Sequence, residues 1–288
     1  MSERAVDSIG VVGCGLMGSG IAEVCARAGR EVCVVETGPA AADAGLRRIT
    51  GSLERATAAG RLSVRDRDSA LARITVTTDL AALADRDLVV EAVAEDEAAK
   101  LAVFTRLDEV VRRPDAILAT NTSSLPVIRL AAATARPQQV IGLHFFNPVP
   151  VLPLVELVPS LLTGDDTTRR THTFAADVLG KEVVHAADRA GFIVNALLIP
   201  YLLDAVRMVE SGAASAGDVD RGMRLGCAHP LGPLALADLI GLDTTRAIAE
   251  SLYEEFREPR YAPPPLLARM VEAGLLGRKS GQGFHRYR

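Results

Sequence analysis

The 288-residue chain contains no tryptophan, only four cysteines, and just three lysines against 29 arginines. The cysteines at 14, 25, 33 and 227 form no C-x-x-C pair, and no histidine stands at metal-ligand spacing to them. A zinc site and a dithiol redox motif are therefore not expected, and no metal is. Cys14 lies in a glycine-rich turn that demands a small side chain, and the other three read as small buried apolar residues. Long apolar runs are missing as well: Ala196–Leu203 is far shorter than a membrane span. The first residues lead straight into an apolar strand, so no signal peptide is expected and the cytoplasm is the natural compartment. Net charge is −4, without the basic excess of a nucleic-acid footprint. The preference for arginine over lysine is a compositional bias and points to no function.

What is present begins at residue 9. The apolar run Ile9–Val12 enters a turn with glycines at 13, 15 and 18, a helix-like segment follows to Ala28, and a second apolar run, Val32–Val35, ends at Glu36. A G-x-G-x-x-G turn alone is weak evidence; between strand and helix, with an acid eighteen residues later, it reads as a dinucleotide site. Gly13 permits the tight turn, Gly15 lets a pyrophosphate approach the backbone, and Gly18 lets helix and strand pack closely. The helix start, with Leu16 and Met17, offers free N–H groups to phosphate. Glu36 is expected to hydrogen-bond the adenine ribose hydroxyls and to repel a 2′-phosphate, so the expected cofactor is NAD.

Apolar runs at 9–12, 32–35, 74–77, 87–93, 116–120, 140–146 and 154–158 alternate with helix-like stretches at 40–59 and 98–112, and 183–185 closes the series. This pattern predicts a doubly wound, mainly parallel, Rossmann-like α/β sheet. From Gly191 only helices are predicted: 192–211 (interrupted by Pro200), 218–226, 231–240, 244–256 and 266–273. The expected domains are 1–188, binding NAD, and an all-α 189–288, with the boundary near 187–190.

Two polar constellations follow the strands of the first half, where ligands of such sheets gather. Thr120-Asn121-Thr122-Ser123-Ser124 directly follows one strand. Ser124, before Leu125-Pro126, is a candidate helix cap, which leaves Asn121 and Ser123 to explain. His144 ends a later strand and Glu156 lies on the next extended segment. A histidine oriented by a carboxylate is an acid/base pair, because the carboxylate fixes the tautomer and stabilises the imidazolium.

The run His144-Phe145-Phe146-Asn147-Pro148-Val149-Pro150 with Leu154-Val155-Glu156 resembles the signature of the 3-hydroxyacyl-CoA dehydrogenase family. So do Asn121–Leu125, Gly191–Asn195, His229–Pro233, Gly241–Asp243 and Gly277–Phe284, in order along essentially the whole chain. The length matches the short bacterial form, similar to 3-hydroxybutyryl-CoA dehydrogenase. The resemblance implies His144 as the catalytic base, Glu156 as its orienting acid, and Ser123 and Asn195 as contacts of the substrate hydroxyl. It implies Gly13, Gly15, Leu16, Met17, Gly18, Glu36, Glu95, Lys100 and Asn121 as cofactor contacts, with Glu95 and Lys100 on the nicotinamide side. It also implies a substrate held between the two domains and a homodimer formed through the helical one.

The sequence departs from the family where lysines face the CoA phosphates. Those positions fall on Gly51 and Arg55, a Lys-Gly-Lys turn becomes Ala59-Gly60-Arg61, and Pro153 replaces a lysine three residues before Glu156. Arg55 and Arg61 are the candidate CoA anchors, since arginine binds phosphate as lysine does. Three other readings stay open. An arginine-rich face (47, 48, 55, 61, 65, 67) could suit an acidic acyl carrier protein. Weak CoA anchors could suit a hydroxy acid without a thioester. Relatives of this fold also serve as lens crystallins, against which the intact His144, Glu156, Ser123 and Asn195 speak.

Overall fold

The computed structural model describes residues 5–287. Each apolar run becomes a strand: β1 (Ser8–Val12), β2 (Glu31–Val35), β3 (Ile74–Thr77), β4 (Leu88–Glu91), β5 (Ile117–Thr120), β6 (Val140–Phe145), β7 (Leu154–Val158) and β8 (Glu182–His185). They form one sheet in the order β3-β2-β1-β4-β5-β6-β7-β8. β1 to β6 are mutually parallel. β7 turns back antiparallel to β6, and β8 runs parallel to β7. The central strands are buried along their length, as expected of a sheet covered on both faces.

The helices of this unit are α1 (Leu16–Arg27), α2 (Pro39–Ala58), α3 (Val64–Ala72), α4 (Glu97–Val110), α5 (Val127–Ala132) and α6 (Asp165–Thr173). Ile21, Ala22 and Cys25 of α1 and Ile49 and Leu53 of α2 pack with strand residues Ile9, Val11, Val34 and Val90 in a single core. α3 is, with the still more polar α6, an element that hydropathy patterning misses. It is short and polar, and its signal is a cap: the Ser63 hydroxyl accepts from the Asp66 amide at 3.0 Å. Ser124 is not a helix cap. α5 starts at Val127 behind Pro126, and the Asp188 carboxylate accepts from Val127 N and Ile128 N at 2.7 and 2.8 Å. Sixty residues separate cap from helix, so no local pattern could reveal it.

The chain packs as two units divided between Arg189 and Ala190. The second contains α7 (Val194–Glu210), α8 (Ala216–Gly226), α9 (Pro233–Ile240), α10 (Leu242–Phe256) and α11 (Pro265–Glu272). Ile199, Leu202, Leu203 and Val206 of α7 pack with Leu234, Leu242, Ile248, Leu252 and Leu267. α7 continues through Pro200. Among the described residues no helix is long and apolar enough to cross a membrane.

Candidate active site

The β6–β7 register sets His144 directly opposite Glu156. Side chains opposite one another in an antiparallel pair project from the same face at close range, and here His144 Nδ1 lies 2.6 Å from Glu156 Oε2. Both side chains are buried, 7% and 0% exposed. The Phe146 ring packs on the imidazole, 4.6 Å between centroids. Asn121 Oδ1 accepts from the Phe145 amide at 2.9 Å, which ties the end of β5 to the strand that carries His144. Asn121, expected as a cofactor contact, thus also holds the backbone beside the histidine.

Ser123 belongs to a second cluster, organised by Glu95. One Glu95 oxygen accepts from the Thr122 hydroxyl, the amides of Ser123 and Ser124 and the Ser124 hydroxyl, at 2.5 to 3.2 Å. Its other oxygen lies 3.3 Å from Lys100 Nζ. Burial works against the Glu95 carboxylate, but Lys100, Thr122 and Ser123 outweigh it and hold it below the usual range. Lys100 is itself 1% exposed and lies 2.6 Å from Glu91 Oε1. Glu91 in turn takes the Val93 amide and the Thr120 hydroxyl, both at 2.7 Å. Lys100 therefore reaches the serine loop through Glu95, and Glu91, which sequence reasoning passed over, anchors the whole cluster to β4 and β5.

The glycine turn fits a dinucleotide. Gly13 has φ +89°, and a Cβ there would stand 2.8 Å from the Ala92 carbonyl oxygen. A Cβ on Gly18 would run into the Gly13 carbonyl. Gly15 faces open space, and α1 starts there with no side-chain cap, so its first N–H groups remain for a phosphate. Glu36 accepts from the Cys14 amide at 2.5 Å and from the Thr37 amide at 3.1 Å. Arg48 donates to the Cys14 carbonyl at 2.6 Å. The acid expected at the ribose is thus bonded to the glycine turn.

Comparison with known proteins agrees with this geometry. Two family models cover the chain: "3-hydroxyacyl-CoA dehydrogenase, NAD binding domain" over residues 8–189 and "3-hydroxyacyl-CoA dehydrogenase, C-terminal domain" over 191–287. The chain belongs to the 3-hydroxyacyl-CoA dehydrogenase family. A 3-hydroxybutyryl-CoA dehydrogenase of Mycobacterium tuberculosis is 60% identical over 98% of this chain and 99% of its own. The crystal structure of M. tuberculosis FadB2 superposes with a TM-score of 0.98 at 60% identity, over 99% of this chain and 100% of that one. The (S)-3-hydroxybutyryl-CoA dehydrogenase of Ralstonia eutropha gives 0.93 at 43% identity, over 99% and 100%.

The remaining family motifs lie in other settings. Asn195 stands half-buried on the first turn of α7, in the second unit. Arg55 and Arg61 are exposed and make no side-chain hydrogen bond or ion pair among the described residues. The glycine-rich C-terminal motifs are structural: Asp220 caps α9 through Leu234 N and Ala235 N. Asp238, 1% exposed, binds the amides of Phe284 and His285 and the Tyr287 hydroxyl. Cys227 is exposed, not buried as expected, because it follows the C-terminus of α8. Among the described residues no three His, Cys, Asp or Glu side chains converge as a metal site.

Proposed function

We propose that this chain interconverts a short-chain (S)-3-hydroxyacyl-CoA and the corresponding 3-oxoacyl-CoA with NAD as cofactor. The buried His144–Glu156 pair carries the reading. A carboxylate on Nδ1 fixes the tautomer with its proton there, so the other ring nitrogen is the one that takes the proton of the C3 hydroxyl. Glu156 then faces the imidazolium that this transfer creates. In the reverse direction the same imidazolium returns the proton to the ketone oxygen. Ser123 and Asn195 are assigned to hydrogen-bond the C3 oxygen. The nicotinamide ring, when bound, supplies the hydride acceptor. The glycine turn, Leu16, Met17 and Glu36 hold its pyrophosphate and ribose, while Glu95 and Asn121 line the side toward the reaction.

The CoA handle rests on the names of the relatives, and Arg55 and Arg61 are its phosphate anchors in this reading. Four free thiols suit a reducing compartment such as the cytoplasm. Leu197, Leu225 and Leu239, each more than half exposed on the second unit, suit a homodimer formed through that unit.

The test is NADH consumption with acetoacetyl-CoA, run beside the same acyl group on an acyl carrier protein. Turnover of the CoA ester is expected, and His144→Gln is expected to keep NADH binding while losing about 10²–10⁴-fold in kcat, the usual worth of general acid–base catalysis. Turnover confined to the carrier protein would overturn the CoA handle. Full activity in His144→Gln would overturn the assignment of the base.

A further inference from the structure

We propose that Lys181 is a positioning residue for the His144–Glu156 pair, which it holds in line by gripping the connection between β6 and β7; this rests on the function proposed above. His144 and Glu156 stand one register step from the end of the β6–β7 ladder, where Phe145 faces Val155. The eight residues 146–153 that join the two strands therefore decide how the last pairs of the ladder meet. They also touch the imidazole directly, through Phe146.

This connection is long, and few main-chain bonds hold it internally: Val151 N and Leu152 N both donate to Pro148 O. It is pinned from outside at two points. Val149, 2% exposed, packs on α1 at Gly20, where a Cβ would stand 2.8 Å from the Val149 Cβ. Lys181 Nζ donates to Val149 O at 2.6 Å and to Leu152 O at 2.7 Å. Lys181 is 9% exposed, and its own amide is fixed on Ala175 O at 2.9 Å. Next to it the Glu182 amide donates to Pro153 O at 2.9 Å. One ammonium thus joins two carbonyls three residues apart and ties the connection to the start of β8. Burying an ammonium is costly, and burial together with the nearby Arg27 guanidinium pushes the Lys181 pKa down. The arrangement keeps a cation there in spite of that cost.

Three lysines remain in a chain with 29 arginines. Each grips a defined partner: Lys100 holds Glu91, Lys279 holds Asp243, and Lys181 holds the two carbonyls.

The experiment compares wild type, Lys181→Met, Lys181→Ala and His144→Gln in NADH oxidation with acetoacetyl-CoA, alongside NADH affinity by fluorescence. Lys181→Met is expected to lose about 10–100-fold in kcat, as misplacement by a fraction of an ångström to an ångström does. NADH affinity and the KM for the ester should stay within about threefold, since the glycine turn is untouched. A cavity of about 570 Å³ reaches Lys181 from the surface. Ethylammonium is therefore expected to restore part of the kcat of Lys181→Ala, and to leave wild type and His144→Gln unchanged. Unaltered kcat in a folded Lys181→Met overturns the proposal. So does a loss shared equally by NADH binding with no rescue, which marks general destabilisation. If Lys181→Met does not fold, Lys181→Gln, which keeps two N–H donors without the charge, is judged by the same criteria. A wild type inactive on the ester overturns the functional reading and this one with it, whereas an active wild type with an indifferent Lys181 overturns only this one.

Discussion

Replacing Glu156 by glutamine tests the centre of the mechanism. The carboxylate is 0% exposed and lies 2.6 Å from His144 Nδ1. In the proposed mechanism His144 takes the substrate proton, and a full positive charge forms against a full negative one. At about 4 Å between charge centres and an effective dielectric of about 20, their attraction is about 4 kcal/mol. That is worth about 10³-fold in rate at 1.36 kcal/mol per factor of ten. Glutamine keeps one acceptor dipole, so the net loss expected in kcat is about 10²–10³-fold. The β6–β7 register is a main-chain ladder that glutamine leaves in place, so NADH affinity and the KM for acetoacetyl-CoA are expected to move by less than about threefold. Single-turnover kinetics isolates the chemical step from product release. A folded Glu156→Gln that loses less than threefold in the chemical step would refute the argument that the buried carboxylate stabilises the imidazolium.

Three further outcomes are expected. Glu95 has a depressed folded-state pKa, so its contribution to stability is full above its ordinary value near 4.5 and is lost as pH falls toward the depressed one. The gap in melting temperature between wild type and Glu95→Gln should therefore be widest near neutrality and shrink below about pH 4.5; a gap that does not change with pH would contradict the Lys100 and serine-loop contacts. A thiol reagent at pH 8 should label only the exposed Cys227 in the native chain and all four cysteines after unfolding, because burial pushes Cys14 up to about 11 and Cys25 up to about 12; mass spectrometry counts the labels. Gly18→Ala should abolish NADH binding or folding, since its methyl group would collide with the Gly13 carbonyl; calorimetric titration with NADH decides it.

All eight strands were legible in the sequence, because each is a short apolar run, although the edge strands β3 and β8 are only partly buried. The glycine turn was legible because its chemistry is local: strand, three glycines, helix and acid lie within 28 residues. The His144–Glu156 pair was partly legible. Twelve residues separate its members, and only the antiparallel return of β7 brings them together, so their strand positions suggested the pair and the family signature assigned it.

What the sequence concealed is long-range polar satisfaction. Asp188 caps a helix that begins sixty-one residues earlier. Asn121 bonds the amide of Phe145 across two strands, and Glu95 collects five donors from residues 122–124. A buried N–H or C=O must find a partner, but any polar side chain that the fold brings near can serve, so sequence spacing carries no trace of the choice. Ser124 shows how this misleads. Its position before Leu125-Pro126 satisfies the local rule for a cap, yet the helix takes a distant aspartate and the serine turns to Glu95. The same reasoning explains why Lys181 escaped notice. Its partners are backbone carbonyls twenty-nine and thirty-two residues away. A carbonyl carries no residue identity, so a side chain that acts by holding carbonyls leaves no partner in the sequence to be paired with, and only the folded chain reveals it.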